Sequence, residues 1–172
     1  MTSILKVTEI QDPTNSNTAL SIDSSGRILT PANPKFSVQL ATAGSSADYT
    51  SASDVPFDTI DFNVGSCVAI SSSVATFTAP TTGYYQFNLS VGFGNVEGSS
   101  HISTYLVING ATVENSTYRN IEDVQGGAYT TLTTPALIYL TATQTVNPKI
   151  YINGDTTVQV RAGSRFNGFL VG

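Results

Sequence analysis

The run Tyr84-Tyr85-Gln86-Phe87-Asn88-Leu89-Ser90-Val91-Gly92-Phe93 decides the fold class. Tyr85, Phe87, Leu89, Val91 and Phe93 alternate with Tyr84, Gln86, Asn88, Ser90 and Gly92. A period of two sends one set to each face of an extended chain. An apolar set against a polar set predicts a half-buried β-strand.

Outward from this run the same signal repeats. Ile102, Thr104, Leu106 and Ile108 alternate and end at Asn109-Gly110. Asn-Gly after an alternating run is the strongest short hairpin signal, so a return strand is predicted over Ala111 to Tyr118. Ala136-Leu137-Ile138-Tyr139-Leu140 is a continuous apolar strand. Lys149-Ile150-Tyr151-Ile152 runs into a second turn, Asn153-Gly154-Asp155. Val158-Gln159-Val160-Arg161 is a short strand, and the chain closes on Arg165-Phe166-Asn167-Gly168-Phe169-Leu170-Val171-Gly172. Eight to ten strands are predicted, and no helix. Strands spaced by turn signals read as a sandwich or barrel. No fixed-period repeat appears, which disfavours propellers and solenoids.

Composition narrows the function. The 172 residues include 20 Ser and 24 Thr, and the branched side chain of Thr suits a pleated surface. Charged residues are 11% of the chain, against about 25% in ordinary soluble domains. Seven basic residues face twelve acidic ones, so no basic footprint for nucleic acid exists. One cysteine, Cys67, excludes a disulfide framework, and with one histidine a Cys/His zinc site lacks ligands. A 40% hydrophobic content excludes intrinsic disorder. No apolar run reaches the ~18–20 residues of a membrane span. The N-terminus shows only Ile4-Leu5 before Lys6, with no signal-peptide core.

Two zones divide the chain. Residues 1–33 form a polar N-terminal arm with spaced apolar residues: Ile4, Leu5, Val7, Ile10, Leu20 and Ile22. Leu20 and Ile22, then Ile28 and Leu29 beyond Ser25-Gly26, suggest a small hairpin. So few apolar residues cannot close a core. The arm must pack on the main domain, on sister chains or on a foreign surface, or remain a tail. Residues 34–172 form the main domain.

Val74-Ala75-Thr76-Phe77-Thr78-Ala79-Pro80-Thr81-Thr82-Gly83-Tyr84-Tyr85-Gln86-Phe87 resembles the signature of C1q-like domains. Phe77, Pro80, Gly83, Tyr85 and Phe87 hold the signature places. Phe57-Asp58-Thr59-Ile60-Asp61-Phe62-Asn63-Val64-Gly65 is similar to the family segment before it, and Ser164 to Val171 is similar to the closing strand. Thr143-Gln144 stands where the family carries Gly-Asp. The resemblance implies an all-β, ten-strand jelly-roll sandwich of the C1q and tumour-necrosis-factor type, assembled as a homotrimer and preceded here by an extended arm. Tyr85, Phe87, Phe93, Phe166, Phe169 and Leu170 are then expected in the core or at the trimer interface. The segments Ser3 to Ile10 and Ala19 to Pro31 resemble the leader of bacteriophage virion proteins, especially cyanophage ones, that place such a head after a short arm.

Catalytic chemistry finds little support. His101 is the sole imidazole and is read as a surface residue in a loop. Cys67, among Val64, Val68 and Ile70, reads as a buried thiol. Asp58 with Asp61 could pair for acid–base work. Glu122 and Asp123, read as lying in a loop, are the calcium candidates, although no Asp-x-Asp-x-Asp-Gly loop is present. Otherwise no cofactor is expected. Outward Tyr84, Tyr118, Tyr129 or Tyr151 could bind sugars.

The expected function is therefore non-enzymatic. The first reading is a trimeric capsid cement or decoration protein of a bacteriophage virion. It would be assembled in the host cytoplasm and anchored by its arm to the major capsid protein or another virion protein, with no nucleic acid or membrane partner. The alternative is the receptor-binding head of a tail fibre recognising a host surface glycan.

Overall fold

The computed structural model describes residues 6–14, 16–43, 52–96, 100–111, 118–124, 128–153 and 158–171. Among them there is no helix. In the head, β4 (Lys35–Gln39), β5 (Ser53–Asp54), β6 (Thr59–Val64), β7 (Val68–Ser71) and β8 (Val74–Thr78) come first. They are followed by β9 (Gly83–Val96), β10 (Ser100–Ile108), β11 (Tyr118–Val124), β12 (Ala128–Leu140), β13 (Thr145–Asn153), β14 (Gln159–Val160) and β15 (Arg165–Leu170). β5 and β14 hold two residues each, so ten longer strands remain, the number implied for the jelly roll. Two sheets face each other. One runs β11-β10-β13-β8-β7 with β5 on β13; the other runs β12-β9-β15-β4-β6 with β14 on β9.

The predicted alternation of β9 is the axis of the second sheet. Tyr85, Phe87, Leu89, Val91 and Phe93 are fully buried between the sheets. Rings from four strands meet there. Phe36 lies 4.9 Å from Phe166 and 5.3 Å from Phe77, and Phe77 lies 5.0 Å from Phe87. The buried Tyr85 hydroxyl donates to the Thr81 carbonyl at 2.7 Å, so its burial leaves no polar group stranded. Gly168 of β15 pairs with Phe36 on one side and Phe87 on the other. A Cβ there would come within 2.6 Å of the Phe87 ring and 3.0 Å of the Gln86 carbonyl oxygen. The glycine of the closing Phe-x-Gly-Phe pattern is thus the space in which two rings rest.

Several boundaries differ from the sequence reading. The Asn109-Gly110 turn forms, with φ of 51° and 68° and the Ala111 amide donating to Ile108 O. The return strand is nevertheless β11, pairing Leu106 with Tyr118 and Ser100 with Val124, and residues 112–117 lie outside the described residues. The Asn109 side chain instead accepts the Thr145 amide, tying the turn to β13. β12 begins at Ala128 rather than Ala136, because the Thr-rich stretch Thr130–Thr134 pairs with β9 although its sequence does not alternate. His101 lies in β10, not in a loop. Residues 154–157, which carry most of the second predicted turn, are outside the described residues.

The arm is not extended over its described residues. β1 (Glu9–Gln11), β2 (Thr18–Ile22) and β3 (Ile28–Leu29) form a separate antiparallel sheet in that order. The predicted hairpin is present, pairing Ile22 with Ile28 about Gly26 at φ 77°. The Asp23 carboxylate holds its turn by accepting the Ser25 and Arg27 amides and the Arg27 Nε. The Arg27 amide and guanidinium hold the Asp23 carboxyl below the usual carboxylate range.

Two stability outcomes follow from this packing. Gly168→Ala lowers unfolding free energy by about 1–3 kcal/mol, the usual cost of overpacking a core, read by chemical denaturation. Thr143 stands at φ 74° as third residue of the turn closed by the Gln144 amide on Thr141 O, a place suited to glycine. Thr143→Gly raises stability by about 1 kcal/mol, because relief of a left-handed branched residue exceeds the added freedom of the unfolded chain. A lowered thermal midpoint for that variant would contradict the assignment of strain.

Candidate functional site

The outer face of the β9 sheet is the first candidate surface, and strand register builds it. Tyr139 pairs with Tyr84, Leu137 with Gln86, and Gln86 with Phe169. Leu137, Tyr139, Tyr84, Phe169 and Val171 are each at least half exposed, although they form one neighbourhood on one face. Tyr84 and Tyr139 meet edge to face at 5.1 Å. Such a contiguous apolar area on a single chain marks an interaction surface. Phe169 thus points away from the core, while Tyr85, Phe87, Phe93 and Phe166 are buried within the chain and Leu170 packs partly against the core.

Toward the middle of the sheet the face becomes polar. An irregularity between Ser37 and Val38 in the β4–β6 ladder brings Asp61 into line with the outward residues. Arg165 Nη1 reaches Asp61 Oδ2 at 2.7 Å, and Arg165 Nη2 donates to Gln39 Oε1 at 3.0 Å. Gln39 Nε2 and Ser37 Oγ also donate to Asp61, at 2.6 and 2.9 Å. Arg165, Asp61 and Gln39 close a ring whose charges cancel, and Ser37 joins it through Asp61. At the far end the Arg161 guanidinium lies 4.1 Å above the Tyr129 ring. Gly94 makes room for this stack, since a Cβ there would lie 3.1 Å from Tyr129 Cε1. Arginine over an aromatic face is itself an attractive pair.

The carboxylates expected as a pair serve different neighbours. Asp61 belongs to the ring just described. Asp58 accepts the Ala41 and Thr42 amides at 2.8 and 3.2 Å and the Thr59 hydroxyl at 2.8 Å. Those donations, led by the Ala41 amide, hold its carboxyl below the usual range. Glu122 and Asp123 stand in β11 opposite Ile102 and His101, not in a loop. Among the described residues no group of three or more His, Cys, Asp or Glu is placed to hold a metal ion. Cys67 is buried, its Sγ directed at Val64 O at 3.5 Å, and burial pushes its thiol pKa up. A raised thiol pKa disfavours the reactive thiolate.

The arm carries the second candidate surface. Ile10 pairs with Leu20 and Ile22 with Ile28, which sets all four on one face of its sheet. With Val7 and Glu9 they line an apolar cleft of about 110 Å³. Ile10, Ile22 and Ile28 are 50%, 41% and 68% exposed, so no described residue covers them fully. Ile4 and Leu5 lie outside the described residues.

Of the tyrosines considered for sugar binding, Tyr84 and Tyr129 are exposed and Tyr151 is half-buried; the side chain of Tyr118 lies outside the description. The outward role of Leu137 and Tyr139 was missed in the sequence. Its signal is the continuous apolar run from Ala136 to Leu140, because a strand that is apolar on both faces is one to be covered on both.

Comparison with known proteins agrees with the architecture. The C1q domain family matches residues 35–171. No curated protein matches the chain. Among solved structures, the globular domain of zebrafish complement 1qA protein aligns with a TM-score of 0.60 at 20% identity, covering 81% of this chain and 98% of that one. Murine APRIL at pH 5.0 aligns with a TM-score of 0.57 at 15% identity, covering 80% and 98%. The fold is therefore a C1q/TNF-like jelly-roll sandwich.

The Asp58 geometry sets an acid response. Its folded pKa lies below the unfolded one, so its stabilisation is complete above the unfolded value and is lost as pH falls through the folded value. Asp58→Asn consequently flattens the fall of the thermal midpoint below about pH 4. Unchanged acid profiles for the two proteins would show that the Asp58 bonds contribute nothing.

Proposed function

The chain belongs to the C1q domain family, and on that premise we propose that it is a non-enzymatic structural protein of a bacteriophage virion. In this reading it is a homotrimer that decorates the capsid as a cement protein, anchored on the major capsid protein or another virion protein by its N-terminal arm. The observation that carries it is the pair of uncovered apolar surfaces, one on the head and one on the arm. A head alone needs only the first. The arm-then-head order of the sequence supports the virion setting.

The head face suits three-fold self-association. Burial of Leu137, Tyr139, Tyr84 and Phe169 supplies hydrophobic gain at about 25 cal/mol per Å² of apolar area. The Asp61–Arg165 ring meets the partner already neutralised, which limits the cost of its desolvation. The non-enzymatic character is supported by Asp58, Asp61 and Cys67, which are all engaged structurally. The anchoring residues are Ile4, Leu5, Val7, Ile10, Leu20 and Ile22. Three arms per particle site would add avidity.

The alternative, a receptor-binding head recognising a host glycan, draws on Tyr129, an exposed ring already stacked on one side by Arg161. Binding of the purified head to host cells, competed by surface polysaccharide, would transfer the assignment to it.

The native mass in solution is expected to be that of a trimer. Phe169→Asp should raise the trimer dissociation constant about 100-fold or more, since an unpaired charge in a closed interface costs ~3 kcal/mol. Deletion of residues 1–30 should leave a soluble trimer that no longer binds purified particles. Normal decoration by the truncated protein would end the anchoring assignment, and a monomeric full chain would end the trimer.

A further inference from the structure

We infer that the apolar face of the arm sheet is covered by the same face of the sister arms, so that three arms form a collar at one pole of the trimer. The inference rests on the trimeric reading above and assigns the second uncovered surface to sister copies of the chain, so that the assembled collar, and not each separate arm, meets the virion.

The root of the arm carries the argument. Residues 30–34 connect β3 to β4, with prolines at 31 and 34 and the Asn33 amide turned back on Thr30 O. Five residues span at most about 17 Å, and two fixed φ angles shorten the reach further. The connection meets the head at the aromatic end of the candidate interface. Pro34 O accepts the Leu170 amide at 2.9 Å, the Val171 amide donates to Tyr84 O at 2.7 Å, and Lys35 pairs with Phe169. If Tyr84 and Phe169 pack around a three-fold axis, the three roots converge beside that axis. Each short tether then holds its sheet near the other two.

The faces of the arm sheet fix the orientation. Ile10, Leu20, Ile22 and Ile28 lie on one side. The other presents Ser21, which pairs with Glu9, and Leu29 as its apolar member. A sheet with one apolar face must bury that face against another element. Three identical faces turned inward satisfy that need with the polar side outward. Val7, Ile10, Leu20 and Ile22 then serve anchoring indirectly, by holding together the collar through which the arms meet the virion.

Neighbouring cysteines on opposite faces test this in the full chain. Ile28→Cys and Leu29→Cys are treated separately with a short bis-maleimide, the unsubstituted protein with its buried Cys67 serving as blank. Interchain cross-linking of Ile28→Cys at least ten times more efficient than that of Leu29→Cys is expected. If the protein is trimeric but the two link equally, or Ile28→Cys does not link, the collar is wrong and the trimer stands. A monomer removes both. The double variant Ile10→Asp/Ile22→Asp provides an independent reading. It should raise the dissociation midpoint of the trimer at least tenfold, and an unchanged midpoint overturns the collar.

Discussion

The packing of Phe36, Phe77, Phe87 and Phe166 around the vacant side of Gly168 holds the head together. These rings come from β4, β8, β9 and β15, which otherwise belong to two different sheets. The contact therefore fixes the separation of the sheets and the register of the closing strand. Once Gly168 is inside, strand alternation sends Phe166 inward and Phe169 outward. The outer face of the sheet inherits its apolar end from that single register.

Strands with one polar side were legible from residues alone. Tyr85 to Phe93 announced both the position and the buried face of β9, and the Phe77 to Phe87 pattern pointed to the family. Longer elements were harder. β12 extends through Thr130–Thr134, where hydroxyl side chains suit either face and give no period; Thr134 is buried against Thr104 at 2.6 Å. The return strand β11 was displaced because Asn109-Gly110 marks a tight turn without stating how soon pairing resumes. Glu122 and Asp123 looked like loop residues because polar side chains are common to loops and exposed strands alike.

The site was less legible than the fold for a physical reason. An apolar residue reads the same whether its partner is in the same chain or another. Phe169 and Phe166 were equivalent in sequence, and only the register separates them. The ring of Ser37, Gln39, Asp61 and Arg165 depends on three strands and one irregular pairing, so no local motif encodes it. The sparse charge of the chain fits this picture. In the proposed trimer, much of the surface that charges would ordinarily solvate lies between subunits.

The chain enters the β9 sheet at Pro34 and leaves it at Val171, one strand apart and joined through the Leu170 amide on Pro34 O. A passenger fused after the closing strand would therefore begin beside the root of the arm. The turn closed by the Ser164 amide on Arg161 O lies at the other end of β15, and a Cβ on Gly163 within it would meet nothing within 4 Å. As a scaffold for displaying peptides outward, the molecule offers that internal turn rather than its C-terminus.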